Sequence, residues 1–388
     1  YFMPGLVIKP RSRIFHGHDW VYASEIKKSF GNPQPGEVIS LKDFKDKPLG
    51  SAIYNPKSQI VARRFSRRKQ ELDKDFFLRR LKLAFSLRDR LPVDPSLCRL
   101  AWSESDGLPG LIIDRYDRSL VIQTLTLAMD QRIDLIVEVA QELLSPESIV
   151  VRNDSPMRKA EGLEPSNFIA VGNDPDPVTL EHKNLKFKST LLTGQKTGLY
   201  LDQIDTYNKV SELAEGKRVM DCFSNQGGFG LACARAGAAS VTCVDISGEA
   251  VSAATHNAEL NNLEIRAIEA NAFDYLKNCD ETFDLIILDP PSFTRSKKAL
   301  NDAMRGYKEI HLRALKLLNY DGYLATFSCS HHVTRELFLN NVRDAAVDAR
   351  RTLRLVESYS QRPDHPILPT IPETEYLKGF CFQLLPGR

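Results

Sequence analysis

From about Lys217 onward the chain alternates short apolar runs with helical stretches, and this rhythm constrains its fold more than any other feature. Strand-like runs fall near 217–223, 240–246, 264–269, 283–288, 322–328, 352–359 and 378–385. Repeated strand–helix–strand units build a parallel sheet with helices on both faces. The last two runs are joined instead by the proline-rich stretch from Pro363 to Pro372, which allows the final strand to run antiparallel. The expectation is a Rossmann-like α/β domain over residues 189–388, with a seven-stranded, mostly parallel sheet whose last strand is antiparallel.

The polar punctuation of these runs carries the chemistry. The run Phe283 to Leu288 stops at Asp289-Pro290-Pro291-Ser292-Phe293, and the run Gly322 to Phe327 stops at Ser328-Cys329-Ser330. Two neighbouring strand ends would thus offer a carboxylate and a thiol to one crevice, where open parallel sheets bind ligands. A thiol there is a candidate nucleophile. The plainer alternative is a buried strand-end cysteine. Earlier, the run Arg218 to Phe223 enters Ser224-Asn225-Gln226-Gly227-Gly228-Phe229-Gly230, whose glycines let backbone amides approach a ligand closely. The next run ends at Asp245, the acidic residue expected on the ribose hydroxyls of an adenosine-containing cofactor. The G-x-G-x-x-G spacing that seats a pyrophosphate is absent, so S-adenosylmethionine (SAM) fits better than a nicotinamide cofactor. Asn271, after the third run, either meets the adenine or caps the helix that follows.

The amino-terminal part reads differently. Short strands at Gly5–Ile8, Val21–Tyr22, Glu37–Leu41, Pro48–Tyr54 and Ile60–Phe65 are separated by Gly, Pro and Asn turns, the pattern of a small β-barrel over residues 1–72. Residues 1–75 hold 15 Lys and Arg against 8 Asp and Glu, a local excess of +7 in a chain whose net charge is +2. A basic module on a mildly acidic body points to a polyanion partner, a solvated charged face being the alternative. Arg63 and Arg64 are its candidate substrate contacts. Residues 73–188 read as a central α+β domain. It opens with a helix from Asp73 to Arg90 whose apolar face is Phe76, Phe77, Leu81, Ala84, Phe85 and Leu87, with Arg79, Arg80, Lys82, Arg88 and Arg90 outside it. A hairpin follows at Leu108–Gln123, then a helix from Met129 to Leu144 and a strand at Ser148–Arg152. Seven cysteines without a CxxC pair indicate neither a disulfide framework nor a metal site. No apolar run reaches the roughly 20 residues of a membrane span, and no signal peptide is recognisable, so a cytoplasmic protein is expected.

The motifs together carry a specific resemblance. The run Gln195 to Gln203, Asp221-Cys222-Phe223-Ser224 through Gly230, Asp289-Pro290-Pro291-Ser292-Phe293, and Phe327-Ser328-Cys329-Ser330-His331-His332-Val333 resemble the ribosomal RNA large-subunit methyltransferase I family. The resemblance spans essentially the whole chain. It implies a PUA-like barrel, a central α+β domain and a class I methyltransferase domain, with SAM as cofactor and 23S ribosomal RNA as partner, and formation of 5-methylcytidine. It also implies that Asp221 and Gly227 face the methionine part of SAM, with Phe223, Ser224 and Gly228 beside them. Asp245 and Ile246 would then hold the ribose, Asn271 and Ala272 the adenine, and Asp289 would border both cofactor and target base. The sequence departs from the family at Asn225-Gln226, Ile204 and Asn271, all near the cofactor.

A thiol suits that chemistry. Carbon 5 of cytosine is a poor nucleophile until a thiolate adds to carbon 6, and cysteine is partly ionised near pH 7. Cys329 is therefore the expected nucleophile and Asp289 its catalytic partner on the polar edge of the base. Pro290 fixes the turn that aims Asp289, and Phe293 stacks on the base or joins the core. Two other readings stay open. An Asp-Pro-Pro-x-Phe turn also suits methylation of an exocyclic amine or ring nitrogen without any cysteine, and a basic barrel alone suits a non-catalytic RNA-binding assembly factor. The base that removes the carbon 5 proton is not legible, and a homodimer is one state the sequence allows.

Overall fold

The computed structural model describes residues 3–193, 198–294 and 297–386. The chain divides into two compact units that exchange segments. One comprises Tyr1–Val178, Ser189–Leu199 and Pro363–Thr374; the other comprises Thr179–Lys188, Tyr200–Arg362 and Glu375–Arg388.

The first unit contains two sheets. Six strands form the amino-terminal one: Gly5–Ile8, Trp20–Tyr22, Ile26–Phe30, Val38–Lys42, Pro48–Tyr54 and Ile60–Ser66. Leu6, Ile8, Val21, Ile39, Leu41, Ala52 and Ala62 fill its interior. Strand Ile26–Phe30 was not expected, because Lys27, Lys28 and Ser29 are all exposed and give it no apolar alternation. The second sheet has five strands, in the order Ser166–Val171, Ser148–Asn153, Ser119–Thr124, Leu111–Tyr116 and Leu97–Trp102. Helices Lys74–Arg88 and Ile133–Leu144 cover it through Phe76, Phe77, Leu81, Ile136 and Val139. Asp73 caps the first of these, its carboxylate accepting from Phe76 N at 2.8 Å.

Two sequence expectations need correction here. The helix expected over Met129–Leu144 is two helices, Leu127–Asp130 and Ile133–Leu144. The Asp130 carboxylate is committed to Thr124 Oγ1 and the Arg158 guanidinium, each at 2.7 Å, which anchors the first helix separately. Arg88, expected outside the apolar face, is buried. Its guanidinium forks onto Asp106 at 2.7 and 2.8 Å and also donates to the carbonyls of Arg99 and Asp364. A buried arginine is tolerated because nearly every donor is used.

The second unit is built on seven strands: β1 Arg218–Cys222, β2 Ser240–Asp245, β3 Arg266–Glu269, β4 Phe283–Leu288, β5 Leu318–Ser328, β6 Thr352–Ser360 and β7 Lys378–Leu385. Their spatial order is β3-β2-β1-β4-β5-β7-β6. β1 to β5 pair in parallel, and β7 lies antiparallel between β5 and β6, as the proline-rich connection allowed. In register, Cys222 lies opposite Leu288 and Leu288 opposite Thr326, so β1, β4 and β5 end along one edge. The order reverses between β1 and β4, which makes that edge the topological switch point of the sheet. The hairpin Val178–His182 and Leu185–Ser189 is held by Asn261 and Asn257, whose side-chain carbonyls accept from Lys186 N and Lys188 N at 2.9 Å. Among the described residues no helix is long and apolar enough to cross a membrane, and no His, Cys, Asp and Glu cluster is placed to hold a metal ion.

Candidate active site

The glycine-bearing turn after β1 is held in an unusual backbone conformation. Phe223, Asn225 and Gly227 have φ of 62°, 48° and 85°. For a bulky side chain such as Phe223 the left-handed region is a true outlier, and such strain concentrates at binding sites. The turn persists because its polar groups are tied down. Phe223 N and Ser224 N both donate to Val244 O, at 2.8 and 3.1 Å. Asn225 N donates to Asp245 Oδ2 at 2.9 Å, and Asn257 donates to Gln226 O at 3.2 Å. A helix then starts at Gly228, where a Cβ would lie 2.5 Å from the Tyr207 ring.

Three carboxylates mark the strand ends here. Asp221 is buried; one oxygen accepts from Gly230 N at 2.9 Å, and the other has no hydrogen-bond partner among the described residues. Burial, followed by the neighbouring Asp289 and Asp245 charges, raises its pKa to about 8 against the opposing effect of the Gly230 amide. Asp245 accepts from Asn225 N and Ser247 N, which fixes its carboxylate at the end of β2. Asp289, just past β4, accepts from the Gln203 side-chain amide at 3.0 Å, and Gln203 itself is buried. An orphaned buried carboxylate oxygen beside two further carboxylates fits a ligand that brings positive charge. SAM carries both a sulfonium and an ammonium, so the residues fit it.

The remaining expected cofactor residues are distributed unevenly. Asn271 caps the helix Ala272–Asn278, its side-chain oxygen accepting from Phe273 N at 2.9 Å. Ala272 is buried, whereas Ile246 is 68% exposed. Phe223 joins Phe273 and Phe293 in an aromatic cluster, with ring centroids 5.8–6.5 Å apart, and Phe293 leans on Tyr307 at 4.6 Å. Phe293 is therefore packed against the core while only partly buried.

The turns after β4 and β5 are joined directly. Ser292 Oγ and Ser330 Oγ lie 2.8 Å apart, and the Tyr307 hydroxyl bridges Ser328 Oγ at 2.9 Å and Ser330 Oγ at 3.2 Å. Cys329, between those serines, is partly buried. On its other side β7 contributes Lys378, paired in register with Ser328. The Lys378 ammonium is buried and donates to the carbonyls of Ser330 at 2.6 Å and Val333 at 2.7 Å. Burial lowers its pKa to about 8, with Cys329 the leading opposing charge. Lys378 and Tyr307 escaped the sequence reading, and Gln203 entered it only as part of a motif without a role, because each acts through a contact 21 to 86 residues away. Part of the expected Gln195–Gln203 motif lies outside the described residues.

In the first unit both candidate RNA-contacting arginines are engaged internally. Arg63 pairs with Glu104 at 2.6 Å, and buried Arg64 pairs with Asp19 at 2.7 Å.

The sheet order and the acidic strand ends define a SAM-dependent methyltransferase, and residues 171–382 match the family model described as S-adenosylmethionine-dependent methyltransferase. Residues 9–67 match a PUA-like domain. The chain is 39% identical over 378 residues to the ribosomal RNA large subunit methyltransferase I of Erwinia tasmaniensis, covering 95% of this chain and 96% of that one. It is 40% identical over 376 residues to the protein of the same name from Photobacterium profundum, covering 94% of each. The chain belongs to the ribosomal RNA large subunit methyltransferase I family. A solved SAM-dependent methyltransferase from Streptococcus mutans shares the fold, with a TM-score of 0.84 and 20% identity over 97% of this chain and 99% of that one. A methyltransferase solved in complex with SAH matches with the same TM-score, identity and coverage.

Proposed function

We propose that this chain methylates carbon 5 of a cytidine in large-subunit ribosomal RNA, using Cys329 as nucleophile. The reading rests on one arrangement above all: a thiol turn and a carboxylate turn at adjacent parallel strand ends, tied by the Ser292–Ser330 hydrogen bond. The names of the curated relatives supply the class of RNA.

The residues take the following roles. Asp221 and Asp245 receive the cofactor, the first through its orphaned oxygen and the second at the end of β2. Bound SAM supplies an electrophilic methyl group. Cys329 adds as thiolate to carbon 6 of the ring, forming the S–C6 bond and making carbon 5 electron-rich enough to take the methyl. Loss of the carbon 5 proton to a base then expels the thiolate and restores the aromatic ring. Asp289, steadied by Gln203, accepts from the exocyclic amine of the base. Lys378 holds the turn that carries Cys329 and keeps positive charge beside the thiolate.

Trapping tests the chemistry. RNA containing 5-fluorocytidine carries no removable proton at carbon 5, so the wild-type protein should form a covalent adduct in the presence of SAM and Cys329→Ser should form none. Undiminished methylation by Cys329→Ala eliminates the carbon 5 mechanism and leaves methylation of a nitrogen. Mass spectrometry of nuclease fragments of 23S ribosomal RNA, from cells with and without the gene, identifies the nucleotide.

A further inference from the structure

The first unit holds a cleft of about 710 Å³ between the end of strand Ile60–Ser66 and the helix Lys74–Arg88. Six cations line it: Arg64, Arg67, Arg68, Lys69, Arg79 and Arg80. Its three acids are already spoken for. Asp19 holds Arg64, Glu104 holds Arg63 and accepts from the Trp20 indole, and Asp106 holds Arg88 and accepts from Trp102 N.

The cations are not matched in the same way. Arg79 pairs with Asp75 at the surface. Arg67, Arg68 and Lys69 are exposed and form no ion pair among the described residues. Arg80 is half-buried, donates to the Phe65 carbonyl at 3.2 Å and lies over the Phe76 ring. Burial and then the nearby Arg79 charge push its pKa down against the opposing Asp106 charge, so Arg80 is a partly desolvated cation with a like charge beside it. A guanidinium with unspent donors on the cleft wall, beside three exposed surface cations, matches a chain of phosphates better than a single small anion.

We infer that this cleft is where the RNA phosphate backbone docks, with Arg67, Arg68, Lys69 and Arg80 as its contacts. Arg63 and Arg64 then shape the wall through their ion pairs instead of meeting the RNA. The inference rests on the RNA substrate proposed above and adds the place where affinity is generated. Phosphate contacts position an RNA without reading its sequence, so the cleft contributes binding and the second unit contributes the choice of base.

The test uses the full-length protein and a 23S ribosomal RNA transcript, with affinity measured across a salt series. The variant R67A/R68A/K69A should lose more than about tenfold in affinity at roughly 0.1 M salt, and its slope of log K against log salt should fall by about 2 to 3. Arg80→Gln should weaken binding in the same direction. Lys82→Ala, on the same helix but outside the cleft, should leave it unchanged. SAM affinity of each variant, by calorimetry, reports that the fold is intact. If the triple variant keeps the wild-type slope and affinity while binding SAM normally, the cleft assignment is overturned and the RNA reading stands. If the wild-type protein itself shows no salt-dependent RNA binding, the RNA reading falls first.

Discussion

In the first unit Arg63, Arg64, Arg88, Arg99 and Arg158 are sunk into the fold, and each meets a carboxylate at 2.6–2.7 Å. In the second, Asp221 and Asp245 form no ion pair among the described residues, and Asp289 adds a third carboxylate beside them. The contrast separates two uses of charge. Paired buried charges hold a shape and are neutralised by it. Carboxylates gathered at one strand-end edge raise one another's proton affinity, as at Asp221, and such perturbed groups cluster where ligands bind.

The largest effect should come from breaking a pair. Arg88→Met leaves Asp106 buried without its partner and should destabilise the protein by about 3–5 kcal/mol, read by urea unfolding followed in the first unit. The same kind of charge removal should have the opposite sign at Asp221. Because the folded pKa is raised to about 8, this group favours the fold at acid pH, and that contribution is lost as pH rises from the ordinary carboxylate range through about 8. Asp221→Asn should flatten that decline in a thermal-unfolding series between acid and mildly alkaline pH, yet weaken SAM binding by more than about tenfold. In the wild type, SAM binding near neutral pH should release a proton, visible as a dependence of binding enthalpy on the buffer's ionisation heat. A decline with pH that Asp221→Asn leaves unaltered would dissolve the contrast.

Lys378 sharpens the comparison, since it is a buried cation in the unit that holds the three carboxylates. Its pKa, lowered to about 8, means that it is charged at neutral pH and loses its charge as pH climbs past that value. Lys378→Met should slow alkylation of Cys329 by iodoacetamide several-fold at neutral pH, followed by peptide mass spectrometry, and the gap from wild type should close above pH 8. The smallest effect is expected from Ser292→Ala, which removes one hydrogen bond between the two turns. It should cost about 1 kcal/mol of stability and lower kcat without altering SAM affinity.

The second unit was far more legible in the sequence than the first. Strand ends such as Asp289-Pro290-Pro291 announce themselves because proline stops a strand, and helices between apolar runs dictate parallel pairing. The proline-rich connection before β7 left room for its antiparallel course. Strand Ile26–Phe30 stayed hidden because its middle faces solvent, and the break at Gln131–Arg132 depends on Asp130 meeting Arg158, 28 residues on. The exchange of 179–188 and 363–374 between the units was illegible for the same reason: partners such as Asn261 for Lys186 are fixed by tertiary contact and leave no local pattern. At the site, residue types at strand ends were readable. Their supports, Gln203 under Asp289 and Lys378 under the cysteine turn, were not.

The placement of β7 has a consequence in time. Translation delivers β5 and β6 before the strand that lies between them, so neither of the two has its partner on that side until β7 is made. Only when Lys378–Leu385 has been synthesised does the lysine reach the carbonyls of Ser330 and Val333. The order of synthesis thus makes the Lys378 clamp on the turn that carries Cys329 depend on a strand that follows both of its sheet neighbours in the chain.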